Sequence, residues 1–129
     1  MPENDKPLRG TSLAGRIPPD CAAIMVYTTF PDIAAAEVLG RKLVEDRLAA
    51  CVNILPGMIS IYAWQGEIER AGEVVLIAKT AVRRAEALMR ALIELHPYEV
   101  PAVLAIPVLA GAEGYLNWIA AGVDVPSEG

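Results

Sequence analysis

A long hairpin in the middle of the chain constrains the fold more than any other feature of the sequence. Residues 49–64 and 67–80 are both rich in strand-forming side chains, and Gln65-Gly66 between them suits a tight turn. Pro56-Gly57 predicts a bulge in the first arm, and Ala71-Gly72 predicts a second irregularity in the returning arm. Each arm is about fifteen residues long and would reach roughly 50 Å, well beyond the core of a small domain.

Such a hairpin leaves apolar side chains without cover in a single chain. The side chains concerned are Ile59, Ile61, Tyr62 and Trp64. Exposed apolar strands with unpaired edges are normally covered by another chain, so the sequence predicts an obligate oligomer. Tyr62 and Trp64 share one strand face, and two interpretations of the pair stay open: anchors at a subunit interface, or the lining of a ligand cleft.

Two helices are predicted by apolar residues that recur every three or four positions. The first spans residues 31–47, where Asp32 favours the N-terminus. The second begins after an N-cap at Thr80 and ends before Pro97, near His96. The inward-facing stripes are Ala35, Leu39 and Leu43 in the first helix, and Ala85, Leu88, Met89 and Leu92 in the second.

The remaining segments complete an alternating pattern of strands and helices. Residues 22–29 and 102–109 are short apolar runs that indicate strands, and Pro107 indicates that one side of the last strand is not fully paired. Residues 114–121 form a short last helix that Gly122 stops. Two right-handed β-α-β halves give an α+β fold: a ferredoxin-like βαββαβ sandwich, with a four-stranded antiparallel sheet and both main helices on one face.

Length and composition fit one domain with a buried core. The chain has 129 residues, 54% of them hydrophobic. We assign the domain to residues 21–123, with a flexible N-terminal tail at 1–20 and a C-terminal tail at 124–129. The net charge of −5 argues against nucleic acid as a partner, because binding to phosphates needs clustered Lys and Arg.

The sequence shows no sign of export or membrane insertion. The N-terminus lacks a basic-then-apolar signal, and no apolar run approaches the ~20 residues of a membrane span. Cys21 and Cys51 are too few for a disulfide framework, and the single histidine excludes a closed His/Cys zinc site within one chain. A cytoplasmic protein without membrane contact is therefore predicted.

Five motifs in this order resemble the CutA1 family, the divalent-cation tolerance proteins. The resemblance extends from about residue 24 to residue 123. It implies a ferredoxin-like subunit in a tight homotrimer, similar in architecture to PII-type signalling trimers, with strands that extend across subunit boundaries. It also implies a role in tolerance of divalent cations such as copper, without a settled reaction. The motifs are Tyr27–Asp32, Leu48–Ile54, Tyr62–Ile68, Lys79-Thr80 and His96–Pro101.

The resemblance also raises the question of a copper site. Some members are proposed to bind copper through a cysteine late in the first strand and two successive histidines before the Pro-Tyr pair. Thr28 and Leu95 occupy two of those positions here, and only His96 matches. One imidazole per subunit is a weak copper site by ligand count, although Cu²⁺ can recruit carboxylates. His96 is thus a candidate ligand for Cu²⁺ or Zn²⁺, or a helix-terminal histidine that interacts with the last carbonyls; no cofactor is obligatory.

We predict inter-subunit clefts that take a divalent cation or a small anionic molecule. Several candidates have two open interpretations: Cys51 is a small buried side chain or a thiol that a cation such as Lys79 would activate, and Tyr98 packs or contacts a ligand. Glu99 is an acceptor or a solvated acid. Glu67, with Glu69 and Glu73 on the same side of its strand, binds a hard cation or forms a solvated face. The predicted cleft residues are Cys51, Trp64, Glu67, Lys79, His96, Tyr98 and Glu99.

Three classes of function compete. The leading hypothesis is a non-enzymatic, homotrimeric binding protein of CutA1 type. The second is a trimeric scaffold or signalling protein that acts through protein partners without metal. The third is a cleft enzyme with Cys51 as its nucleophile, although the sequence contains no Ser/His/Asp constellation and no paired-carboxylate hydrolase motif.

Overall fold

A four-stranded antiparallel sheet carries two helices on one face in the computed structural model, which describes residues 12–125. The elements are β1 (Ala23–Phe30), α1 (Ile33–Glu45), β2 (Cys51–Trp64), β3 (Glu67–Thr80), α2 (Val82–Leu95), β4 (Val103–Val108) and α3 (Glu113–Gly122). The strand order is β2-β3-β1-β4, so β2 and β4 are the sheet edges. This is the predicted ferredoxin-like α+β fold, with the two β-α-β crossovers interleaved. The edge position of β4 agrees with the prediction from Pro107.

The hairpin has one irregularity instead of two. The register of β2 and β3 shifts between Leu55 and Met58, at the predicted Pro56-Gly57 bulge, where Gly57 has a φ of 88°. Gln65 and Gly66 form the turn with φ of 50° and 81°, which suits a type I′ hairpin. The irregularity predicted at Ala71-Gly72 is wrong, because both residues pair in regular register with β2. The bulge places one extra residue in β2, so β3 stays continuous.

The core lies between the sheet and the helices α1 and α2. Ile24, Val26 and Phe30 of β1 are fully buried there against helical leucines. All four residues of the predicted α2 stripe are buried, which confirms it. In α1 the buried residues are Ala36, Leu39, Gly40 and Leu43, so the stripe is wider than predicted and Ala35 is only half-buried.

Two helix boundaries differ from the sequence prediction. Thr80 is not the N-cap of α2: it is the last residue of β3, pairs with Ile24, and leaves the N-cap position to Ala81. Gly122 does not stop α3 with a left-handed turn. It is the last helical residue, and a Cβ at this position would lie 3.0 Å from the Ala50 Cβ, so close packing explains the glycine. Asp32 is the α1 N-cap as expected, since its Oδ1 accepts the Ala35 N–H at 2.8 Å.

The segment before β1 contributes to the core. Leu13, Ile17 and Cys21 are half-buried against the core cluster. The predicted tails fall largely outside the described residues, since these exclude 1–11 and 126–129. Within 12–125, no helix is long and apolar enough to cross a membrane.

Candidate functional site

The structure divides the predicted cleft residues into three groups. Tyr98 and Glu99 lie with His96 in the loop between α2 and β4, and Cys51 and Lys79 form a register pair at the base of the hairpin. Trp64 pairs with Glu67 beside the hairpin turn. Lys79 lies twelve positions after Glu67 on β3, roughly 40 Å along a strand, so the two ends cannot line one cleft within a single chain.

His96 is buried, with 3% of its surface exposed, and both ring nitrogens are hydrogen-bonded. Nδ1 accepts the Tyr98 backbone N–H at 3.1 Å, so the proton of a neutral ring resides on Nε2. Nε2 lies 2.8 Å from the Thr29 carbonyl oxygen and 3.1 Å from the Thr28 hydroxyl. The ring also stacks on Phe30 at 4.6 Å. His96 therefore joins the end of α2 to β1 instead of bonding the last helical carbonyls.

No group of three or more His, Cys, Asp or Glu side chains within residues 12–125 is arranged to hold a metal ion. The hydrogen bonds of His96 occupy both ring nitrogens, which are the positions that a metal would need. The assignment of His96 as a Cu²⁺ or Zn²⁺ ligand stays a prediction, and the described part of one chain does not supply companion ligands for it.

Two carboxylates are buried on either side of Tyr98. Glu73 accepts hydrogen bonds from the Ser60 hydroxyl at 2.7 Å and the Tyr98 hydroxyl at 2.9 Å. Burial raises the pKa of Glu73, but the hydrogen bonds from Ser60 and Tyr98, together with smaller favourable interactions, outweigh it and hold that pKa below its usual value. Glu99 is only 4% exposed, so it is not a solvated acid, and its Oε2 has no hydrogen-bond partner among the described residues. Glu67 and Glu69 share one side of β3 with Glu73 as predicted, but both are exposed.

Cys51, Lys79 and Tyr115 form a cluster that sequence reasoning identified only in part. Lys79 Nζ donates a hydrogen bond to the Tyr115 hydroxyl at 3.0 Å and lies 5.2 Å from the ring centroid. The Cys51 Sγ lies 3.7 Å from the same hydroxyl. The hydrogen bond with Tyr115 raises the pKa of Lys79, against a smaller opposite effect of burial. The sequence analysis did not identify Tyr115 as part of this cluster. The signal that could have indicated it is the three-residue spacing from Trp118 on α3, which lets the two rings stack at 5.6 Å.

Two parts of the sheet expose apolar side chains that are relevant to assembly. Beyond α1 and α2, the hairpin exposes Ile59, Ile61 and Ile68, the last two at 70% and 74%. The sheet face opposite these helices exposes Leu55 of β2 together with Leu104 and Ile106 of the edge strand β4. We call the first set the distal hairpin surface and the second the open sheet face. Tyr62 and Trp64 are half-buried near the hairpin turn.

The fold and these surfaces define a class of protein: a ferredoxin-like α+β subunit whose overlong hairpin and bare sheet face expose apolar surface. A sequence profile for the CutA1 divalent ion tolerance protein matches residues 24–122. The divalent-cation tolerance protein CutA of Pectobacterium atrosepticum is 41% identical over 105 residues, which cover 81% of this chain and 96% of that protein.

Solved structures agree with the sequence comparisons. The crystal structure of CutA from Xylella fastidiosa superimposes with a TM-score of 0.77 at 42% identity, covering 80% of this chain and 99% of that one. A structure described as the periplasmic divalent cation tolerance protein CutA from Archaeoglobus fulgidus gives 0.75 at 35% identity, with 79% and 99% coverage. The chain belongs to the CutA1 divalent-cation tolerance family.

Proposed function

We propose that this protein is a homotrimeric, non-enzymatic binding protein that acts in the response to divalent cations such as copper. The observation that carries the proposal is the apolar surface on the hairpin and the sheet. Ile61 and Ile68 are largely exposed on a strand pair that extends past its own helices, and β4 leaves a free edge. Exposed apolar strands of this kind are stable in water when a neighbouring chain covers them.

A buried carboxylate supports the idea of a cleft between subunits. Glu99 Oε2 is buried without a hydrogen-bond partner within residues 12–125, and an unpaired buried carboxylate is costly. A neighbouring copy that brings a donor, or a cation held between copies, would satisfy it. Trp64 and Glu67 at the hairpin turn of one copy would then approach Lys79 or Glu99 of another.

Light scattering on the purified protein tests the trimer. We expect one species with three times the mass of the chain, independent of dilution into the low micromolar range. A stable, folded single chain would overturn the proposal, because the residues of the three groups would then never meet in one cleft.

Calorimetric titration of the same trimer with Cu²⁺ and Zn²⁺ tests the cation role. We expect saturable binding that a Glu99→Gln variant weakens, with the exposed Glu94→Gln variant as the matched control. A trimer that binds neither ion would favour the second candidate function, a scaffold that acts through protein partners.

We also propose a cytoplasmic location. Cys21 and Cys51 are both free thiols in the described structure, which suits a reducing compartment. Cell fractionation checks this, and recovery of the protein from a periplasmic fraction would contradict it.

A further inference from the structure

A small pocket lies between α3 and the sheet, on the face that α1 and α2 do not cover. Its volume is about 210 Å³, and its walls are mostly apolar. Met25 and Val108 contribute from the sheet, while Leu116 and Ile119 contribute from α3. Two polar residues, Lys79 and Tyr115, line the same pocket. A single chain supplies all of these lining residues.

The Lys79 ammonium group is available to an anion. It has three N–H donors, and the Tyr115 hydroxyl is its one hydrogen-bond partner among the described residues. No ion pair within 12–125 includes Lys79, in contrast to Lys42, whose Nζ lies 3.0 Å from Asp46. The Tyr115 hydroxyl accepts from Lys79, which leaves its own proton for either the Cys51 Sγ at 3.7 Å or a bound anion. Two donor groups thus meet at one edge of an apolar pocket.

The pocket's size and charge select the class of ligand. A single ammonium group matches one negative charge, so a multiply charged phosphate would leave charge uncompensated in an apolar site. The apolar walls favour a short alkyl or aryl group, and a volume of about 210 Å³ is below that of ordinary drug-sized sites.

We propose that this pocket binds a small monocarboxylate, with its carboxylate held by Lys79 Nζ and the Tyr115 hydroxyl and its apolar part against Met25, Leu116 and Ile119. The inference goes beyond the proposed cation role, because it names an anionic ligand class for a different part of the molecule. One chain supplies every contact named here.

Calorimetric titration of the full chain with benzoate, benzyl alcohol and inorganic phosphate tests the proposal. We expect saturable benzoate binding and much weaker binding of the other two. Lys79→Met should weaken benzoate binding by about 10- to 100-fold, and Tyr115→Phe, which keeps the ring stacked on Trp118, by about 3- to 10-fold. Lys42→Met, in a separate apolar groove between α1 and Pro97, is the matched control and should bind benzoate like the unmodified protein.

Three outcomes overturn the inference: no saturable benzoate binding, equal binding of phosphate, or benzoate binding that survives Lys79→Met. Circular dichroism confirms that each variant is folded, and Tyr115→Phe provides a second test if Lys79→Met misfolds. Light scattering on the same samples distinguishes failure of the pocket proposal from failure of the trimer proposal. A monomeric protein that binds benzoate would overturn only the proposed trimer.

Discussion

The Glu73 carboxylate connects three segments of the chain through its two oxygens. Ser60 reaches it from β2 and Tyr98 reaches it from the loop after α2, while Glu73 itself lies on β3. His96 adds a second connection two residues before Tyr98, through the Thr29 carbonyl of β1. The loop that carries the family motif is therefore held against the sheet by buried hydrogen bonds, which is a structural role for residues that the sequence also suggested as ligands.

Removing the Tyr98 hydroxyl tests this connection. Tyr98→Phe should destabilise the protein by about 1–3 kcal/mol, because it removes one of the hydrogen-bond donors to a buried carboxylate. Chemical denaturation at matched protein concentration measures the change. Tyr27→Phe is the control. Among residues 12–125 its hydroxyl donates only to the Met58 thioether, a weak acceptor, so a loss of similar size there would argue against the proposed role of Tyr98.

The pH dependence of stability follows from the lowered pKa of Glu73. A carboxyl group whose pKa is lower in the folded than in the unfolded state stabilises the fold above its unfolded pKa, about 4.3 for glutamate. That contribution is lost as the pH falls through the lower, folded pKa. Stability of the unmodified protein should therefore fall below about pH 4.3 more steeply than that of Glu73→Gln. If the free energy of unfolding of the two proteins fell in parallel as the pH is lowered, the lowered pKa of Glu73 would be contradicted.

Among the elements, the hairpin shows most clearly which structural features can be predicted from local sequence. Gln65-Gly66 predicted the turn and Pro56-Gly57 the bulge, because both positions require positive φ values that glycine adopts without strain. Ala71-Gly72 carries a similar dipeptide signal but pairs regularly, since pairing with β2 determines its conformation. Thr80 likewise has the chemistry of an N-cap, yet its pairing with Ile24 extends β3 through that position. Long-range pairing of this kind cannot be predicted from local sequence.

Two glycines of the hairpin make a matched test of this distinction. Gly57→Ala should destabilise the protein by about 1 kcal/mol, because its φ of 88° strains any residue with a Cβ. Gly72→Ala should leave stability unchanged or raise it slightly, since a Cβ there meets nothing within 4 Å and φ is not positive. Denaturation midpoints of the two variants measure the difference. Equal losses of stability would contradict a structure with a single bulge at Gly57.

In the whole molecule, apolar surface is distributed unevenly between the two sheet faces. The face under α1 and α2 is closed, while the open sheet face exposes Leu55, Leu104 and Ile106. The distal hairpin surface adds exposed side chains beyond the helices, on the side of the sheet to which α1 and α2 pack. Subunit contacts through both surfaces would account for the length of the hairpin arms, since contacts among residues 12–125 of one chain do not cover their ends.

Charges on the distal hairpin surface should disrupt assembly. A double variant, Ile61→Lys with Ile68→Lys, places two ammonium groups on this surface, so we expect light scattering to show a smaller species or aggregation. Val38→Lys on α1, a side chain that is 75% exposed, is the control and should keep the mass of the unmodified protein. An unchanged mass for the double variant would exclude the distal hairpin surface from the interface.

The candidate site was predictable from sequence as a set of residues but not as an arrangement. Motif positions identified Cys51 and Lys79, and strand register then placed them side by side. The partner that completes their cluster, Tyr115, comes from α3, whose docking on the sheet depends on tertiary packing. His96 was the most suggestive residue by chemistry, yet its burial and both hydrogen bonds arise from where α2 ends relative to β1.

Gly122 lets the C-terminal end of α3 approach Ala50, the residue before β2, closely. A methyl group at 122 would lie 3.0 Å from the Ala50 Cβ and would push the helix terminus outward. The same helix forms one wall of the monocarboxylate pocket. The close approach that glycine permits at position 122 therefore keeps this wall near the sheet and the pocket narrow. Alanine in place of Gly122 would widen the pocket and admit a larger ligand, although none of the residues that line the pocket would change.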